Sequence, residues 1–289
     1  MAIPGLASDA RAALQVDWPA FLFGSTAPDV QTISGQSREA THFFSVPLRG
    51  APAAGPRLFA QYPALAIRAA LPPPQAAFIA GYLAHLVFDQ LWVRDLFEPY
   101  FGEAPAWGTF HERLYLHNVL RAQVDADDLG RLTPAIGAQL QAALPDGWLP
   151  FVDSHHLRAW RDLIADQLSS GAGRTVEVFA QRNRVDPQEF AALLASPEQM
   201  ATRVFSHLPG HDGRALAAYR ARALAASAQT ISSYWQAGPL PTQLKSRPQP
   251  ALGRPHALSD YRKHGPTWTR APAALARGGR HRPAGSGYL

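Results

Sequence analysis

Pro72-Pro73-Pro74-Gln75-Ala76-Ala77-Phe78-Ile79-Ala80-Gly81-Tyr82-Leu83-Ala84-His85-Leu86-Val87-Phe88-Asp89-Gln90-Leu91-Trp92 is the stretch that decides the architecture. Proline suits the first turn of a helix, where its missing N–H would have no partner in any case. The residues that follow place apolar side chains on nearly every side of a helix running from about Pro74 to Tyr100. A helix apolar all round is buried. The window Ala76 to Val93 nevertheless holds His85, Asp89 and Gln90, and three polar groups in mid-span argue against a membrane crossing. The segment therefore reads as the central helix of a packed bundle.

Working outward, the remaining segments also read as helices. Leu6 to Phe23 forms one or two short helices interrupted near Pro19, and Arg57 to Leu71 is helical around Pro63. Further helices are predicted over Thr109–Leu129, Pro134–Leu144, His155–Leu168, Pro187–Ala195, Glu198–His207 and Arg214–Trp235. Val30 to Pro56 reads as loop, because Gly, Ser and Pro recur and the periodicity is weak. No stretch alternates with a period of two. The expected fold is all-α, a multi-helix bundle around a buried central helix.

The 289 residues include no cysteine and carry a formal charge of +5. Any metal site must therefore use nitrogen and oxygen ligands. From Gly238 onward nine Lys/Arg face a single acid, Asp260, a surplus of eight, so the rest of the chain stands at −3. Pro and Gly supply 15 of those last 52 residues. This divides the chain into a helical domain, 1–237, and a basic, disordered tail, 238–289. The start of the chain has no basic segment followed by an apolar run, so the expectation is a cytoplasmic protein without a signal peptide.

Three places carry chemistry. His85 and Asp89 are four residues apart and project from one helix face. A buried carboxylate needs a partner, which a divalent ion shared with His85 or a plain His–Asp hydrogen bond could supply. Asp29 closes the turn Gly24-Ser25-Thr26-Ala27-Pro28-Asp29, where it is either a ligand on a rigid backbone or a turn or capping carboxylate. His42, in Thr41-His42-Phe43-Phe44, is either a ligand or a packed loop anchor.

Taken in order, the Gly24-Ser25-x-x-Pro28-Asp29 turn, Thr41-His42 and the helical His85-x-x-x-Asp89 resemble the zinc-dependent phospholipase C family, also called the phospholipase C/D domain. The resemblance covers roughly residues 18–129. It implies a phospholipase C/nuclease-like fold and a zinc site formed by Asp29, His42, His85 and Asp89. One ion is expected where the family uses up to three. The implied activity is hydrolysis of a phosphate ester by metal-activated water, with Asp29 as ligand and catalytic base, on a phospholipid or another phosphodiester. The related nucleases share the fold, so a nucleotide substrate stays open.

The chain also departs from the family. Its first histidine is His42, so the family's early His is absent. Asp95 stands where the family has a His six residues after the helical Asp. The later His-x-x-x-Glu is not reproduced, since His111 is followed by Tyr115 and His117 by Arg121.

His117 shares a helix face with Phe110, Leu114 and Val124, and is either a further metal ligand or a core histidine. His111 reads as structural, and His155 and His156 as surface residues. Arg121 or Arg113 reads either as a partner for a substrate phosphate or as a solvent-exposed arginine, and Phe43 and Phe44 either as an apolar wall for acyl chains or as core. Two other functions fit the same features. One is a non-catalytic protein with a closed, structural zinc site. The other is a binding module whose basic tail contacts anionic lipid or nucleic acid.

Overall fold

The computed structural model describes residues 5–103, 105–170, 172–211, 213–237, 240 and 242–243. The chain opens with α1 (Ser8–Val16) and α2 (Trp18–Gly24), a 3₁₀ turn (Ala27–Val30), α3 (Gln31–Ser34), α4 (Arg38–His42) and α5 (Ala54–Gln61). Next come α6 (Pro73–Trp92), a π turn (Val93–Phe97) and α7 (Glu98–Tyr100). The second half holds α8 (Phe110–Leu129), α9 (Ile136–Gln141), α10 (Ser154–Ser170), α11 (Ala172–Asn183), α12 (Pro187–Ala195), α13 (Pro197–Gln199) and α14 (Arg214–Trp235). No strand occurs among the described residues. The fold is an all-α multi-helix bundle.

The central helix is α6. Phe78, Ile79, Tyr82, Leu83 and Leu86 are almost completely buried. At about 1.5–3 kcal/mol for each large apolar side chain removed from water, this one helix anchors much of the core. It is long and apolar enough to cross a membrane, but 72% of that window is buried inside this bundle. Beyond Trp92 the helix passes into the π turn, close to Pro99, which lacks the N–H that a regular helix requires.

Two neighbours clamp α6. On one side lies α14, with Tyr219, Ala223, Ile231 and Tyr234 buried. On the other lies α2, at a distance that only glycine permits. A Cβ at Gly24 would stand 2.1 Å from the Phe78 carbonyl oxygen, and one at Gly81 would stand 2.2 Å from that of Phe21. Backbone therefore meets backbone at this crossing, and the turn after α2 is pressed against the middle of α6.

The region 30–56, expected as loop, contains α3 and α4. Ser37 caps α4 by accepting from the Ala40 N–H at 3.3 Å. Phe43 ends it in the left-handed region at φ 60°, held there by burial against Tyr62 and Phe151. The helix α11 was not expected at all.

The expected boundary at 237/238 is softer than composition suggests. Leu240 packs against the core, and the Ala53 N–H donates to the Thr242 carbonyl at 2.9 Å. The expected disorder of the basic tail falls on residues 244–289, outside the described residues.

Candidate metal centre

Three elements deliver the expected ligands. The 3₁₀ turn after α2 carries Asp29, the last turn of α4 carries His42, and the middle of α6 carries His85. One ligand atom from each of these lies within 4.8 Å of the others. His42 Nε2 is 3.3 Å from Asp29 Oδ1 and 3.4 Å from His85 Nε2. The ligand-to-ligand edge of a tetrahedral zinc site, with Zn–N of about 2.0–2.1 Å, is roughly 3.3–3.4 Å. The two distances match that edge.

The other ring nitrogens account for this convergence. His85 Nδ1 lies 2.9 Å from the Ser25 carbonyl oxygen, which can only accept, so Nδ1 carries the proton and Nε2 a lone pair. The Thr41 hydroxyl donates to the Arg38 carbonyl at 3.2 Å and lies 3.1 Å from His42 Nδ1. That leaves a hydroxyl lone pair for the His42 Nδ1–H. Tyr82 fixes the same segment by donating to the Thr41 carbonyl at 2.5 Å. The two Nε2 atoms then face each other beside a carboxylate; His85 offers a lone pair there, and His42 offers one in its Nδ1–H tautomer. Such a group suits a cation and orients imidazoles as metal sites do.

The electrostatics keep the donors in their binding forms. Burial, and then the nearby Arg38 guanidinium, lower the His42 pKa from 6.5 to about 3. Burial also lowers that of His85, so both rings are neutral near pH 7. Burial pushes Asp29 upward, but the His42 hydrogen bond and the His85, His42 and Arg121 charges outweigh it. The carboxyl is held below the usual carboxylate range. Asp29 keeps 32% of its side chain exposed and faces an open cleft of about 210 Å³.

That cleft is flanked by His85, Asp89, Arg121 and Arg220, with Phe88, Trp92 and Tyr219 forming an apolar side. Tyr219 donates to the Phe88 carbonyl at 2.9 Å and meets Trp92 edge-on, with centroids 5.3 Å apart. Arg220 pairs with Asp128 at 2.9 Å on the rim.

Other expected residues sit elsewhere or are differently engaged. Asp89 Oδ2 comes to 3.6 Å from His42 Nε2, but it is ion-paired with the buried Arg38. The structure does not bring His117 to the cluster. Its Nε2 accepts from Trp92 Nε1 at 2.7 Å, its ring packs among Phe97 and Phe101, and burial lowers its pKa well below the ordinary value.

Asp95 is buried, paired with Arg94 at 2.8 Å and Arg222 at 3.0 Å. Arg113 is buried too, donating to the Gly102, Trp107 and Gly108 carbonyls. Of the two arginines expected near a phosphate, only Arg121 borders the cleft. Phe43 and Phe44 are core residues, so the apolar side of the cleft is made by other rings.

Asp153, His155 and His156 form a second grouping at the start of α10. Their two rings lie face to face, with centroids 3.8 Å apart and a tilt of 38°. Its ligand atoms also lie within 4.8 Å of one another, but Asp153 and His155 are exposed, so this grouping lacks the enclosure of the first.

Comparison with models of known families, with curated proteins and with solved structures finds no match for this chain.

Sequence reasoning missed two contributors. Arg38 stands one helical turn before His42, a spacing visible in Arg38-Glu39-Ala40-Thr41-His42 once Ser37 is read as a cap. The Ser25 carbonyl left no side-chain signal.

Proposed function

We propose that the chain is a zinc-dependent hydrolase of phosphate esters, related to the zinc-dependent phospholipase C family and acting in the cytoplasm. The observation that carries this reading is the convergence of Asp29, His42 and His85 beside an open cleft, with His42 at tetrahedral edge distances from the other two. The N₂O donor set suits zinc. When bound, the ion supplies an activated water and polarises a phosphoryl oxygen.

The chain's own residues take the remaining roles. Asp29, partly exposed toward the cleft, is assigned as ligand and as the acceptor of a proton from the incoming water. His42 and His85, neutral and fixed through their Nδ1 atoms, hold the ion. Arg121 and Arg220 offer planar guanidinium forks for phosphate oxygens. Phe88, Trp92 and Tyr219 present an apolar face to the ester's leaving group, consistent with a lipid phosphodiester and also with a nucleotide.

A second reading is supported by Asp89 lying 3.6 Å from His42. If it were to join the other three, the site would be closed, with four protein ligands. The ion would then tie the 3₁₀ turn, α4 and α6 together without catalysis.

Elemental mass spectrometry on protein purified without chelator, followed by assays on lipid and nucleotide phosphodiesters, separates these. About one zinc per chain with metal-dependent hydrolysis supports the enzyme. One tightly held zinc without hydrolysis supports the structural site. No metal, and no uptake on zinc titration, overturns both.

A further inference from the structure

The helix α4 brings two opposite influences to the same point. His42 at its end offers a lone pair to the cluster, while Arg38, one turn earlier, brings a cation. The Arg38 side chain is only 6% exposed, its guanidinium carbon lies 4.6 Å above the Phe44 ring, and Nη2 engages Asp89 Oδ2. Asp89, on α6 one turn beyond His85, is thus claimed by a fixed, buried arginine. It falls outside the group of ligand atoms that lie within 4.8 Å of one another, although its Oδ2 reaches to 3.6 Å from His42 Nε2.

We propose that Arg38 is a positioning residue that holds Asp89 out of the coordination sphere, leaving three protein ligands and a fourth position open toward the cleft. This rests on the metal-centre reading above. To become a ligand, the Asp89 oxygen would have to surrender a charge-assisted bond. That would take one charge partner from a buried guanidinium and set it near a divalent ion, two like charges in a poorly solvated place. Asp89, like Asp29, His85 and Arg121, lines the cleft, so the position it vacates is one a water or a substrate oxygen entering the cleft can reach. Three protein ligands plus an exchangeable fourth is the arrangement of catalytic rather than structural zinc sites.

The test is a titration with Co²⁺, followed by calorimetry and visible absorption. It compares the full chain with Asp89→Asn, Arg38→Gln, Arg38→Gln/Asp89→Asn and His85→Ala, each checked for helicity by circular dichroism. The unsubstituted chain is expected to bind one Co²⁺. His85→Ala should weaken binding by more than about 100-fold, whereas Asp89→Asn should weaken it by less than about tenfold and leave the spectrum unchanged. Arg38→Gln frees Asp89, so affinity should rise about tenfold with a changed spectrum, and the double variant should lose both effects.

If Asp89→Asn costs as much as His85→Ala, Asp89 is a direct ligand and the inference fails while the metal centre stands. If Arg38→Gln binds as the parent does, Arg38 withholds nothing, and the inference fails in the same way. Absence of Co²⁺ binding in the unsubstituted chain overturns the metal centre itself. Should Arg38→Gln not fold, the comparison of Asp89→Asn with His85→Ala decides alone.

Discussion

His42 and His85 present their Nε2 atoms to each other at 3.4 Å, although their Nδ1 atoms are engaged in opposite directions, toward Thr41 and toward the Ser25 carbonyl. By themselves two neutral rings gain at most one long N–H···N hydrogen bond from this approach, in the tautomer with the proton on His42 Nε2. They gain from a cation between them, so His85→Ala and Asp29→Asn should each abolish metal uptake measured by elemental mass spectrometry. His155→Ala/His156→Ala should leave it unchanged. Loss of metal in that last variant would move the centre to the start of α10.

The α2–α6 crossing predicts a large stability effect from the smallest side chain. Gly24→Ala and Gly81→Ala each drive a methyl group into a carbonyl oxygen closer than 2.3 Å. No flexible side chain can yield there, so the helices must separate. Each substitution should cost about 3 kcal/mol or more in urea unfolding. It should also weaken metal binding, since Ser25 would leave His85. An unchanged denaturation midpoint would contradict the close packing.

Buried histidines with lowered pKa set the response to acid, His42 and His117 foremost. The folded state holds His42 at about 3 and His117 well below its usual value, whereas both take the ordinary value of about 6.5 once unfolded. Above about 6.5 both states leave the rings neutral and the histidines contribute no slope. Below it the unfolded chain binds protons that the folded chain refuses. Stability of the metal-free protein therefore falls as the pH drops from about 6.5 toward 3. His117→Gln, whose side-chain carbonyl can still accept the Trp92 N–H, should show a shallower loss between pH 7 and pH 5 in urea titrations.

Arg113 and Arg121 lie on the same helix and should behave oppositely. Arg113→Ala strips buried donors from three carbonyls. It should lower stability by about 2–4 kcal/mol and, on the proposed phosphodiester hydrolysis, leave the KM of the surviving folded protein unchanged. Arg121→Ala should leave metal content intact and raise KM for a phosphodiester at least severalfold. A KM effect from Arg113 alone would reverse the assignment.

The legibility of this chain in sequence follows from where its information is stored. The central helix could be read because its apolar residues fall on nearly every side, and Asp29, His42, His85 and Asp89 stood out only as an ordered set, through their resemblance to the zinc-dependent phospholipase C family. Short helices were harder. The helix α4 has five residues, too few for a period to register, and only its Ser37 cap announces it. The helix α11 follows Gly171 and includes Gly173 and the β-branched Thr175, Val176 and Val178, all poor helix formers, so tertiary packing overrides local preference there. For His117, helical spacing placed the ring inward correctly. The partner that occupies its nitrogen, Trp92, lies 25 residues away, and nothing local marks it. Likewise Arg113 and Arg121 look alike in sequence and differ only in what surrounds them.

The short turn between α2 and α3 supplies Asp29 and, through the Ser25 carbonyl, the acceptor that orients His85. Its register is locked at one end by the Gly24 contact with α6. A single residue inserted between Ser25 and Asp29 would therefore displace the carboxylate while leaving His85 oriented, and one inserted just before Gly24 would disturb both together. Insertions between Arg49 and Pro52, where the chain crosses the surface with Gly50 at φ 74° and open space around it, meet no such lock. Length variation should thus be tolerated in the second connection and forbidden in the first, although both look like Gly- and Pro-rich loop.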